Sequence, residues 1–167
     1  MADLTDTYYA AEGSFHGYGT QLLVGDGASP ESFEAVAEVR QITFGDMTTA
    51  VFERTHLRSP NAHREKLAGL RDSGPFSMVL NWRPKHESQN NAGGGSGSFT
   101  TGGLLYMWIN RLTKNFKVVC SDDSPATEVP FAGVITKYQP GTLGPDGGID
   151  LNVEITPLNG SWHASLP

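Results

Sequence analysis

The sequence has one cysteine, Cys120, among 167 residues. That excludes an internal disulfide and any Cys-x-x-Cys metal or redox pair. Charge is also sparse: 18% of residues are charged, and the net charge is −6 with a pI near 5.2. A protein that grips nucleic acid needs an excess of Lys and Arg to displace counterions, and this chain has the opposite balance. No apolar run approaches the roughly 18 residues of a membrane-spanning helix. The opening "MADLTDTYYAAEGSFHGYG" lacks the basic and apolar segments of a secretory signal. These absences predict a soluble chain folded in a reducing compartment.

Motifs for chemistry are missing as well. The five histidines (His16, His56, His63, His86 and His163) are scattered, with no HExxH spacing, so no metal and no cofactor is expected. "GGGSGS" at 93–98 lacks the Gly-Lys-Ser/Thr ending of a phosphate-binding loop. Asn159-Gly160-Ser161 matches a glycosylation sequon, which means little without a secretion signal. Glu34 and Glu38 are spaced as a glycosidase pair would allow, yet they share a strand face with other charged residues, the ordinary pattern of a solvated surface. Cys120 alternates with Phe116 and Val118 and reads as a buried, inert thiol. The chain is therefore expected not to be an enzyme.

What is abundant is turn chemistry: 20 glycines and 10 prolines in a length sufficient for one domain with a sizeable core. "TQLLVGDGASPESFEAVAEVRQITF" predicts a hairpin turning at Asp26-Gly27. Its second strand changes parity after Arg40, where Ile42 and Phe44 become the apolar pair, so a bulge or bend is expected there. "FGDMTTA" reads as a polar loop tip. Ser59-Pro60 followed by His63, Leu67 and Leu70 predicts a helix that Asp72-Ser73-Gly74-Pro75 ends. "PFSMVLNW" alternates, with Phe76, Met78, Leu80 and Trp82 on one side.

The stretch 88–100 is polar and glycine-rich and reads as a mobile connection. A second helix is predicted over "GGLLYMWINRLTKN", with Leu104, Leu105, Trp108, Ile109 and Leu112 as its apolar face. Three strands follow. "NFKVVCS" groups Phe116, Val118 and Cys120. "TEVPFAGVITKYQP" sets Val129, Phe131 and Ile135 against Glu128, Ala132, Thr136 and Tyr138. "GIDLNVEIT" alternates most regularly, with Ile149, Leu151, Val153 and Ile155 against Asp150, Asn152, Glu154 and Thr156. A strand with one wholly polar face borders water. The expected fold is mainly β: a sandwich or barrel-like domain over 19–160 with two short flanking helices, an N-terminal arm over 1–18 and a C-terminal tail over 161–167.

The order "GYGTQLLVGDGASPESFEAVAEV", "RTHLRSPNAHREKLAGLRDSGPFSMVLNW", "NFKVVCSDDSP", "FAGVITKYQP" and "IDLNVEITPLNG" resembles the major tail tube proteins of long-tailed bacteriophages, over roughly residues 17 to 160. The long glycine-rich loop and the aromatic arm depart from the short core pattern. The resemblance implies a structural protein of the virion tail, assembled in the host cytoplasm. It implies homohexameric rings stacked head-to-tail into a hollow conduit for genome DNA. Tape-measure, terminator and tip proteins would be partners, and no membrane is involved. A sheet edge is a template for further pairing, ring closure uses such edges, and head-to-tail stacking stays open along the axis.

Under that resemblance the polar strand faces supply the candidate lumen residues Glu38, Arg40, Glu53, Asp150, Asn152 and Glu154. An acidic wall would keep phosphates from adhering, within a screening length of about 8 Å. The candidate inter-ring residues are Tyr8, Tyr9, Phe15 and Tyr18 of the arm, Phe44, Asp46, Met47 and Thr48 of the loop tip, and Trp162 of the tail. Two other readings remain. One is a monomeric ligand- or carbohydrate-binding β-sandwich with Trp82, Trp108 and Trp162 as platforms, although period puts Trp82 and Trp108 on core faces. The other is a tube protein of a contractile injection machine or gene-transfer particle.

Overall fold

A computed structural model describes residues 17–56, 63–120, 126–144 and 147–158. In chain order the elements are β1 (Gln21–Gly25), β2 (Phe33–Ala35), β3 (Val39–Thr43), β4 (Met47–Glu53), β5 (Lys66–Ser73) and β6 (Phe76–Asn81). They continue with α1 (Leu104–Ile109), β7 (Thr113–Cys120), β8 (Thr127–Pro140) and β9 (Asp150–Pro157). Seven strands form one antiparallel sheet in the order β2-β1-β7-β8-β9-β6-β3, and β4 pairs with β5 in a separate ribbon. The mainly β reading stands.

The predicted long second strand of the first hairpin is two strands, and they lie at opposite edges of the sheet. Only residues 36–38 join β2 to β3, a connection that spans at most about 14 Å. A flat seven-stranded sheet is far wider than that at its ~4.8 Å strand spacing. The sheet must therefore curl until its edges almost meet. The crossover is bonded to both: Val36 N–H donates to Leu22 O (2.8 Å) and Asn81 N–H donates to Glu38 O (2.9 Å).

Inside the curl sits one core, and alternation fills it as predicted. Phe76, Met78 and Leu80 of β6, Phe116 and Val118 of β7, and Leu151, Val153 and Ile155 of β9 are buried in one cluster. Phe76 and Phe131 stack with centroids 4.2 Å apart. The parity change after Arg40 is a bulge between Val39 and Gln41. A second bulge, between Ile135 and Lys137, turns Tyr138 inward to meet the core instead of keeping it on the polar side.

The glycine-rich connection differs from the mobile loop its composition suggests. Ser88, Gln89, Ser98 and Phe99 are buried. Gln89 Nε2 donates to Ala37 O and Asn81 O, while its Oε1 accepts from Arg83 N. Ser88 Oγ accepts from Ala37 N, and Ser98 Oγ donates to Val24 O. The segment seals the gap where the edges approach.

Two helix expectations are corrected. Residues 66–73 are a strand and not a helix, and the predicted cap Ser59-Pro60 lies outside the described residues. The second helix spans only Leu104–Ile109, with Leu104 and Met107 buried, Trp108 41% exposed and Ile109 50% exposed. It stops because Arg111 takes a left-handed backbone (φ 51) while Arg111 N donates to Trp108 O and Leu112 N to Met107 O. This is a Schellman stop built on arginine where glycine is usual.

Candidate functional site

Two surfaces stand out. The first is the outer face of the half-sheet β8-β9-β6-β3. Register sets Lys137 beside Glu154, Gln139 beside Asn152, and Asn81 beside Asp150. Of the predicted lumen residues, Glu38, Arg40, Asp150, Asn152 and Glu154 are brought together here. Glu53 is not; it lies on the separate ribbon, where its carboxylate accepts from Thr55 Oγ1.

The face was expected to be acidic, and its charges are in fact matched. Arg40, the bulge residue, reaches past β6 to bond Asp150. Lys137 Nζ lies 3.0 Å from Glu154 Oε1, and Arg83 Nη1 lies 3.1 Å from Glu38 Oε1. Arg83 and Lys137 were not singled out from the sequence. Lys137 was hidden by the second bulge, which moves it onto this face. Arg83 lies beyond the end of β6, where alternation carries no information.

Glu38 anchors one corner in a left-handed conformation (φ 63), unusual for a residue with a side chain. Its carboxylate accepts from Asn81 Nδ2 (3.0 Å) and Arg83. The Asn81 hydrogen bond, seconded by Arg83, holds its pKa below the ordinary glutamate value. Between β8 and β9, Thr136 Oγ1 meets Thr156 Oγ1 at 3.1 Å.

The second surface is the β4–β5 ribbon. It continues the β3–β6 pair past a joint at Gly45 and Gly74, where Gly74 N–H donates to Asp46 O. A Cβ on Gly45 would sit 1.9 Å from Gly74 O, so only glycine fits. Beyond the joint the ribbon runs seven residues, about 23 Å. Every β4 residue is exposed. Pairing of Val51 with Ala68 and of Phe52 with Leu67 puts apolar groups on both faces. Phe52, Leu67 and Leu70 are 57%, 55% and 84% exposed.

The predicted inter-ring residues Phe44, Asp46, Met47 and Thr48 lie at the joint and the start of this ribbon. Phe44 is anchored by a tilted ring contact with Phe76 at 5.4 Å. Tyr18 is almost fully exposed. Tyr8, Tyr9, Phe15 and Trp162 lie outside the described residues. Val51, Phe52, Leu67 and Leu70 were missed as a surface. The β-branched and aromatic residues of "TTAVFE" and the Gly69 interrupting the supposed helix were the available signals.

The sequence profile of the lambda phage tail tube protein family (TTP) matches residues 16–101. The chain belongs to this family. The match covers the first β strands, the two-faced ribbon and the sealing segment, and so includes one of the two surfaces of this tail tube protein. Among curated proteins none matches. Among solved structures, the tail tube chain is similar to a chain in the tail of an empty gene transfer agent particle refined with C6 symmetry. The TM-score is 0.61 at 14% identity, over 87% of this chain and 96% of that one. It is also similar to a chain of the anti-feeding prophage tube terminating cap (0.57, 14% identity, 94% and 95%). A third is the sheath-tube complex of an extracellular contractile injection system, PVC (0.54, 13%, 92% and 95%). At these identities the likeness is one of fold.

Proposed function

We propose that this tail tube protein forms hexameric rings that stack head-to-tail into a hollow conduit for genome DNA. In this reading the β8-β9-β6-β3 outer face lines the bore and the β4–β5 ribbon bridges rings. The observation that carries it is the ribbon. A two-stranded hairpin is marginal alone, and this one offers apolar side chains on both faces that its own chain leaves exposed. A second copy is the occupant that family membership favours. Among the described residues β3 ends the sheet with no strand on its outer side, and an edge of that kind is a template for pairing that would fit ring closure.

The role is structural, and no catalytic step is assigned to the chain. A tape-measure protein inside the tube and terminator and tip proteins at its ends are the further partners proposed. Fold similarity to gene-transfer and contractile-injection tubes supports the related reading that the same subunit serves such a particle. The lone ligand-binding sandwich finds less support: Trp82 packs against the core, although Trp108 is partly exposed.

Negative-stain imaging of the purified chain at high concentration should show rings or tubes. Amide exchange over 47–53 and 66–73 should slow on assembly. Compact monomers at every concentration, or a ribbon whose exchange is unchanged in tubes, would refute the proposal.

A further inference from the structure

We infer that the wall this protein turns to passing DNA is charge-compensated and not acidic, with each of its carboxylates already bonded to a cation. The inference rests on the bore assignment above. The face carries three acids, Glu38, Asp150 and Glu154, and three bases, Arg83, Arg40 and Lys137, in three one-to-one pairs. Its formal charge is zero, so the −6 of the whole chain lies elsewhere. The remaining outward positions on these strands include Asn152, Gln139, Ser77 and Val79, which are uncharged.

The physical consequence concerns adhesion. A free Lys or Arg on the wall would bind phosphate and release counterions, giving retention that depends steeply on salt. A cation held about 3 Å from a carboxylate is a small dipole. Its field fades within the roughly 8 Å screening length at physiological salt. The pairs are partly exposed, each side chain between 33% and 57%, so they add little to folding. Their effect is on what the surface presents. The arrangement also gives the wall no net repulsion, so passage should depend little on ionic strength.

The test uses assembled tubes and short duplex DNA, reading the amount that becomes nuclease-resistant. Wild-type tubes should retain almost none at about 50 mM or about 200 mM salt. The double variant Asp150→Asn with Glu154→Gln leaves Arg40 and Lys137 without carboxylates. Its tubes should retain DNA at low salt and lose it about tenfold or more at the higher salt. Glu154→Gln alone should move the same way by less, and serves if the double variant does not assemble. Arg40→Gln with Lys137→Gln should retain nothing. Salt-sensitive retention by wild-type tubes would overturn the inference, as would acid-to-amide tubes that behave like wild type. Imaging of each preparation separates the two levels: absence of wild-type tubes defeats the bore assignment itself, whereas tubes with the wrong retention defeat only compensation.

Discussion

At the scale of single residues, polar side chains decide how the sheet closes. Gln89 is fully buried and its amide satisfies three backbone groups on the crossover and at the end of β6. Gln89→Ala should cost about 2–3 kcal/mol, because Ala37 O, Asn81 O and Arg83 N then lose partners in a site closed to water. A urea titration of the monomer checks this. Asp26 acts differently, from an exposed turn. Its Oδ1 accepts the N–H groups of Ala28 and Ser32, which hold its pKa below the ordinary aspartate value. A carboxyl depressed by folding stabilises above its unfolded pKa and loses that contribution as pH falls through the folded one. The urea midpoint of wild type should therefore exceed that of Asp26→Asn at neutral pH, with the difference closing as pH falls below the ordinary aspartate value. A difference independent of pH would show that the Asp26 charge does not act. At Tyr138, burial pushes the phenol up, consistent with a hydroxyl kept neutral to donate to Gln89 O.

At the scale of elements, the ribbon carries the sharpest consequence. Leu70 is 84% exposed, so Leu70→Asp should leave monomer stability within about 0.5 kcal/mol. It should nevertheless abolish tubes, because a charge would sit in the contact between copies. A melting curve paired with negative-stain imaging reads both; tubes that persist would remove the ribbon from the inter-ring contact. The same element explains a sequence failure. Leu67 and Leu70 are three apart, which suits a helix stripe, but β5 takes three residue steps from Ala68 to Arg71 against two in β4, a bulge that breaks plain alternation. A bulged strand with both leucines exposed carries no period-two signal. Helix α1 failed in length for a local reason: the left-handed stop at Arg111 has no glycine to announce it.

At the scale of the whole molecule, sequence and fold divide the work cleanly. Strands β6, β7 and β9 were legible because each has one buried and one wet face, and period two reports that directly. The turn at Asp26-Gly27 and the bulge at Arg40 were legible from turn chemistry and parity. Which strand neighbours which was not legible, since alternation says nothing about partners. That β2 and β3 lie at opposite edges follows only from the curl of the sheet, and the curl also buries the polar segment 88–100 through hydrogen bonds made far along the chain. The same holds for charge. Glu154 and Asp150 marked a polar strand by themselves, but Lys137, Arg83 and Arg40 lie 17, 45 and 110 residues from their acid partners. Local alternation determined which side chains meet water; only the closed sheet decided which charges meet each other, because electrostatic pairing depends on distance in space.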